Sequence, residues 1–578
     1  MKRIYTAVLL LVILCVSGNA QNIAEIAKSD PLLITGAIGT QNTYYYSSSG
    51  NGYSSPLNNS IYANLNISVY GINMPFSFFY SNNNTSFSYP HFSFNISPSY
   101  KDWTLHLGTR SMAFSNYIYN IPFTGAGLEF NNGKLRFGAF YGRLQKSIND
   151  DPTDPAARKP QYSRYGWGVK LGYGNSRNFI DLYFFRAKDR MGSIDERWYN
   201  VVQPQDNLAI GLKGRVSIKN YFSFSLNAAT SIFSKDTRSS RLEVERLNNW
   251  DKVFTPRYSS LYRFAGDASL NFGYRNFHAM VTYKMVQPDY MTLGSNYISD
   301  NIQSVGASVG AGLFRGKVNL GGNFSWQEDN LSNRQLYTTK GFVYSANANL
   351  NLSDSFNAVL SYNGYRQLQS DGTAEVNDTT RVNRTMHSVT AAPNYTISRT
   401  NFTHMFGASY SFNMNKDLNP FNQGQGDITT HAFGLNYTLG ATNIATDFNF
   451  GYNRQQSKGE ESNFTTDMFS FGASRAFLKD KNLNLSANLS LSCNKIDTQR
   501  TISFGASINA GYTLKKVHLF SLSTSINKFN DYYIAEDLSY NGFDFQVSLN
   551  YSYSFTLWHI KRKADKEKTE NKEKKSGK

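Results

Sequence analysis

Residues 543–557 constrain this chain more than any other stretch. Alternate positions read Phe543, Phe545, Val547, Leu549, Tyr551, Tyr553, Phe555 and Leu557, and the positions between them read Asp544, Gln546, Ser548, Asn550, Ser552, Ser554 and Thr556. No position breaks the alternation. A two-residue period puts one set on each face of a β-strand. A globular strand is usually about 5–6 residues long. A tilted membrane strand needs about 9–11 residues in the hydrocarbon, plus extensions beyond it. An aromatic-rich face backed by Ser, Asn and Gln suits lipid on one side and water on the other. The stretch therefore reads as the closing strand of a transmembrane barrel.

The start of the chain reads as an export signal. Met1, Lys2 and Arg3 precede an apolar run over residues 4–16, and Gly18, Asn19 and Ala20 supply small residues for cleavage. Residues 1–20 are expected to be a signal peptide. Leu14 stands before Cys15 where lipidation needs a small residue, so a lipoprotein anchor is not expected. No other stretch approaches the 18 or so apolar residues of a membrane helix. The mature chain would keep only Cys493, which continues the apolar phase of Leu489 and Leu491 and reads as a wall residue.

The same alternation recurs from residue 34 onward. Ile61, Ala63, Leu65, Ile67 and Val69 share a face opposite Asn64, Asn66 and Ser68. Tyr165, Trp167, Val169, Leu171 and Tyr173 alternate with Gly166, Gly168, Lys170 and Gly172. Short connections (131–133, 174–177, 275–276, 315–316, 353–354, 440–441) alternate with long ones (47–57, 146–164, 235–258, 287–301, 367–383, 415–428, 455–463). Outer-membrane barrels have short periplasmic turns and long extracellular loops. Counted this way the chain has 26 strands, with 22–26 as the range once the ambiguous stretch 74–97 is allowed for. The expected fold is an all-β, antiparallel, up-and-down transmembrane β-barrel over residues 34–558. A short N-terminal periplasmic segment (21–33) would precede it, and a basic periplasmic tail (559–578) would follow.

Composition agrees with that reading. Charged residues make up 17% and aromatic residues 15%, yet mean hydropathy is negative, as alternating strands dictate. Of the formal charge of +17, the signal peptide carries +2 and the tail +5, leaving +10 spread thinly over the body. No compact basic stripe appears, so no nucleic-acid partner is expected.

Residues 72–78 (Ile-Asn-Met-Pro-Phe-Ser-Phe), 94–103 (ending Lys101, Asp102, Trp103), Gly125 to Glu129, and Phe137 to Arg143 (Phe-Gly-Ala-Phe-Tyr-Gly-Arg) have a shared texture. It resembles a group of large outer-membrane β-barrel proteins of Bacteroidota, and the resemblance covers most of the mature chain. It implies a fold and a location, and it carries over no functional residues.

Little points to chemistry. The eight histidines form no His-Glu-x-x-His and no grouping with Ser and Asp. By phase, His106 and His278 face the lumen, whereas His387, His404, His431 and His518 face outward. Gly306, Gly310 and Gly312 lack the Lys-Ser/Thr of a phosphate loop and read as relief of crowding. Asn149, Asp150, Asp151 and Asp154 could offer oxygens to calcium, but a solvated loop broken by Pro152 is the simpler reading. No enzymatic activity and no cofactor are expected. Arg110, Arg136, Lys170, Lys213 and Arg215 fall in the lumen phase with Glu129, Asp181 and Asp267, which suggests a slight preference for anions.

Two functional readings follow. In one, the barrel is a structural or docking subunit of an outer-membrane assembly or translocon of a Gram-negative cell. Its partners would then be outer-membrane lipid and another outer-membrane protein or lipoprotein. In the other, it is a porin-like or uptake channel for a polar solute or polymer. A barrel of this width needs filling, and no stretch is spare for a plug domain. The long loops are therefore expected to close the lumen unless a partner does, with Leu242, Trp250, Tyr290 and Leu293 as the residues that plug or dock.

Overall fold

In the computed structural model, the described residues are 30–48, 56–82, 92–149, 159–219, 221–242, 253–379, 381–422, 424–460, 463–478, 480–533 and 537–560. They form one closed antiparallel barrel of 26 strands. The first strand, Leu32–Ser47, pairs with the second, Leu57–Val69, on one side and with the last, Leu538–Ile560, on the other. The two edges of the sheet thus satisfy each other, as closure requires. The fourth stave is interrupted: Phe92–Ile96 and Ser99–Tyr100 together bridge Ile72–Ser81 to Trp103–Arg110, with Ser97 and Pro98 between them. Proline has no N–H for the ladder. The break explains why alternation blurs around residues 74–97.

Strands outrun the sequence expectation at both ends. The barrel spans Leu32–Ile560 rather than 34–558, and the last strand covers 23 residues. Connections at 367–383, 415–428 and 455–463 shrink, because Phe356–Asp371, Phe402–Asp417 and Thr446–Gly459 continue as paired ribbons with polar side chains. The turn expected at 440–441 moves to residues 442–445, past the end of Ile428–Ala441. Residues 1–29 and 561–578 lie outside the described residues, as do Asp150, Asp151, Asp154 and Trp250.

Twenty-six strands spaced ~4.8 Å apart and tilted ~40° close a ring about 50 Å across. The outward face is apolar, and Leu549, Val281, Tyr262 and Phe469 are all exposed on it. Tyrosine–histidine pairs mark its two rims. At the long-loop end, Tyr362 Oη meets His387 Nδ1 at 2.9 Å and Tyr410 Oη meets His431 Nδ1 at 2.8 Å. At the short-turn end, Tyr437 pairs with His404 at 2.8 Å and Tyr551 with His518 at 2.9 Å. Ten residues separate His387 from Ile397, which sits opposite His404. At ~3.3 Å per residue and ~40° tilt this is about 25 Å of height. An outer-membrane apolar band between aromatic girdles is about that tall. Cys493 lies on this outward face opposite Asp467, without a disulfide partner.

Candidate functional site

The lumen is the candidate site, and its wall differs around the ring. From Trp103–Arg110 to Phe277–Val286 the inner face has two layers. Near the short-turn end lie charges. Arg136 donates from Nε and Nη2 to Asp181 Oδ1 at 3.1 and 2.8 Å, and from Nη1 to the Gly174 carbonyl at 2.6 Å. Lys170 Nζ lies 3.8 Å from the other Asp181 oxygen. The pair reaches across Gly172, where a Cβ would sit 2.1 Å from Asp181 Oδ1. His106 Nε2 meets Glu129 Oε2 at 2.9 Å, and its Nδ1 meets Ser97 Oγ at 2.9 Å. Arg215 donates to Ser223 Oγ at 3.2 Å, and Lys213 is exposed in the same phase, as is Arg110, which stands instead at the long-loop end of its strand opposite Phe123. Asp267 accepts from Asn227 Nδ2 at 3.3 Å and stands opposite Lys284, a lumen-phase cation that the sequence reading passed over.

Above the charges lies an apolar cluster that belongs to no strand. Residues 111–122, which join Trp103–Arg110 to Phe123–Asn131, fold onto the inner wall. Met112, Phe114, Tyr117, Ile118, Tyr119 and Ile121 are buried there against Phe123, Phe140, Tyr183, Phe185 and Phe233. Loop 287–301 joins them with Tyr290 and Leu293. A parallel bridge ties Tyr119 to Gly294. The Tyr290 hydroxyl donates to the Tyr117 carbonyl at 2.7 Å, and Thr292 Oγ1 to the Ile118 carbonyl at 2.8 Å. The wall binds this insert in turn: Ser231 Oγ donates to the Met291 carbonyl at 2.6 Å, and Asn207 Oδ1 accepts from the Leu293 amide at 3.1 Å. Close approach depends on Gly211, where a Cβ would stand 2.2 Å from Ile118 Cδ1. Insert and charged layer meet where Ser115 Oγ donates to Asn227 Oδ1 at 2.7 Å. Burial first, and then a hydrogen bond to Asp267, push the Tyr117 phenol up, so it stays neutral.

Of the four plug candidates, Tyr290 and Leu293 are in this cluster. Leu242 is exposed and takes no part; residues 235–242 are held by polar clasps such as Arg238 to Asp236 at 2.9 Å. Residues 111–122 were missed because they read as part of the wall.

The rest of the ring is different. From Val318–Asp329 round to Phe92–Ile96, mid-height lumen positions are uncharged: Asn323, Ser345, Asn363, Ser388, Asn436, Asn453, Ser470, Asn488, Ser507, Ser523, Asn550 and Asn64. Side-chain bonds link neighbours there, as from Asn323 to Ser345 at 3.2 Å and from Asn550 to Ser521 at 3.2 Å. Apolar groups that point inward in this part are left bare: Val343 is 49% exposed, Met405 44% and Leu519 49%. Closure of the whole lumen by the chain's own loops is therefore not what the described residues show. Two short segments cannot span a ring of this width. Gly310, on the boundary strand Ile302–Leu313, leaves room for the His278 ring, whose Cε1 would lie 2.1 Å from a Cβ.

The class is set by this geometry: a large, closed, antiparallel barrel of the outer-membrane kind. No family model matches the chain, and no curated protein matches it. Among solved structures it is similar to the translocation pore of the P pilus usher PapC, with a TM-score of 0.34 and 11% identity over 91% of this chain and 100% of that one. It is also similar to OccAB3 of Acinetobacter baumannii (TM-score 0.31, 11% identity, 68% of this chain and 99% of that one). OccK3 of Pseudomonas aeruginosa gives a TM-score of 0.29 at 12% identity, over 68% and 96%. These are likenesses of one large barrel to another and decide nothing about cargo.

Proposed function

We propose that the protein is a passage through the outer membrane of a Gram-negative bacterium of the Bacteroidota, with its long loops outside. It would admit a polar, hydrogen-bonding solute or polymer. The observation that carries this reading is the neutral Asn/Ser/Thr/Gly wall that the internal insert leaves uncovered. Amide and hydroxyl groups offer many weak, interchangeable hydrogen bonds and no strong charge at which a cargo would stall. The insert narrows the lumen from one side and holds the charged layer beneath it, where cations outnumber acids and favour anionic groups.

A docking role is the second reading, and the bare inward groups Val343, Met405 and Leu519 favour it, since a partner in the lumen would cover them. Planar-bilayer recordings of the purified full-length protein separate the two. A passage gives a steady conductance larger than that of a porin of about 16–18 strands in the same salt. A docking subunit shows that conductance only as a defect, and binding of its partner abolishes it. A tight, non-conducting barrel in the absence of any partner overturns the passage reading.

A further inference from the structure

On the outward face, Lys495 and Arg500 stand directly opposite each other in the pairing of Leu483–Ile496 with Gln499–Leu514. Both are exposed, and neither has an acidic partner among the described residues. Like charges directly opposite on one face of an antiparallel pair repel, with Cβ atoms only about 4.5–5.5 Å apart. Two strands away, Arg454 is outward too, held by Asp467 at 3.5 Å, and Lys458 follows it in the same phase. All lie at the long-loop end of their strands.

Below them the outward wall is concave. A groove of about 850 Å³ crosses these strands and is lined by Tyr437, Phe450, Phe471, Leu489, Leu491 and Phe504, among others. Leu491 is four residues below Lys495 and Phe504 four below Arg500, about 13 Å along each strand. Cations and groove therefore form one line, from the rim down into the apolar band.

We propose that this line is a binding site for a lipid whose phosphate headgroup carries net negative charge. Its phosphate would bridge Lys495 and Arg500, and an acyl chain would lie in the groove. The inference rests on the reading of the barrel as membrane-spanning. Charge complementarity selects an anion, because an anion between the two cations converts their repulsion into two charge-assisted contacts. The groove selects the source of that anion. A free phosphate would use only the cations and leave the apolar concavity unoccupied. A lipid satisfies both, and the groove is continuous with the surface that bilayer hydrocarbon covers.

The test uses full-length protein in detergent, native mass spectrometry, and dioleoyl phosphatidic acid against dioleoyl phosphatidylcholine as probes. The wild type is expected to retain one phosphatidic acid per chain, and K495Q/R500Q to bind it at least tenfold more weakly. Phosphatidylcholine should be affected little. Each single variant, K495Q and R500Q, should fall between. Equal retention by the wild type and the double variant overturns the proposal, as does complete displacement by inorganic phosphate at the same concentration. A photo-crosslinking residue at Leu491 should capture lipid from reconstituted vesicles, and capture of a protein chain alone overturns the assignment. Failure of the membrane reading is distinguishable, because the protein would then not insert into phosphatidylcholine vesicles at all.

Discussion

Replacing Tyr290 with alanine tests whether the insert is a fixed part of the lumen. Tyr290 is 1% exposed, and its hydroxyl donates to the Tyr117 carbonyl at 2.7 Å. Truncating a buried aromatic ring costs about 3–5 kcal/mol, and the stranded Tyr117 carbonyl accounts for about 1–3 kcal/mol of such a loss. Tyr290→Phe keeps the ring and strands only that carbonyl, so it should cost just the ~1–3 kcal/mol of the lost hydrogen bond. The barrel has its own closed ladder, so the cost falls on the insert, which should detach locally while the strands stay paired. Segments 111–122 and 287–301 should then gain protease sensitivity and fast hydrogen exchange in Y290A, with little change in Y290F. Bilayer conductance should rise and become noisier in Y290A. Unchanged exchange and conductance in Y290A, in a barrel of normal heat-modifiable mobility, would refute the reasoning.

Other perturbations separate the two faces and the two layers. Leu549 is exposed outward, so lysine there should cost about 2–4 kcal/mol near mid-membrane. Lysine at the lumenal Asn550 should cost little, and equal folding yields in a refolding titration would contradict the phase. Gly211→Val should push Ile118 off the wall and reproduce the exchange pattern of Y290A. A barrel with its insert still protected would show that the contact is dispensable. The Arg238 hydrogen bond holds the Asp236 carboxyl below its ordinary range. A lowered folded-state value gives stability that is present above the unfolded pKa and lost as pH falls through the folded one. Amide protection factors over residues 236–242, with the intrinsic pH dependence of exchange divided out, should therefore fall on acidification below the usual carboxylate range and stay flat from about pH 6 to 8.

The wall was legible in the sequence because lipid and water impose a strict period of two. Leu549 and Asn550 differ in face for that reason alone. The insert was not, since residues 111–122 sit between two genuine strands with aromatic residues like those of the wall. A signal was nonetheless present. Tyr117, Ile118 and Tyr119 are consecutive, which breaks the period of two, and Pro122, which has no N–H for a ladder, follows. Tyr183, Phe185, Phe140 and Phe233 also place aromatic rings in the lumen phase. Such rings call for an apolar partner inside. The choice of Tyr290 and Leu293 over Leu242 was not readable, because it depends on which loop reaches Asn207 and Ser231 across the wall.

The half-covered lumen is tested most directly by placing single cysteines on its two sides, in a chain whose Cys493 is replaced by serine. Asn436→Cys lies on the bare neutral wall, and Ala209→Cys lies beneath the insert at 0% exposure. Each folded barrel is treated in vesicles with a maleimide carried on a large hydrophilic polymer. The account predicts labelling at position 436 and protection at position 209. Equal protection at both positions, with position 436 reactive once the barrel is unfolded, would contradict an open half.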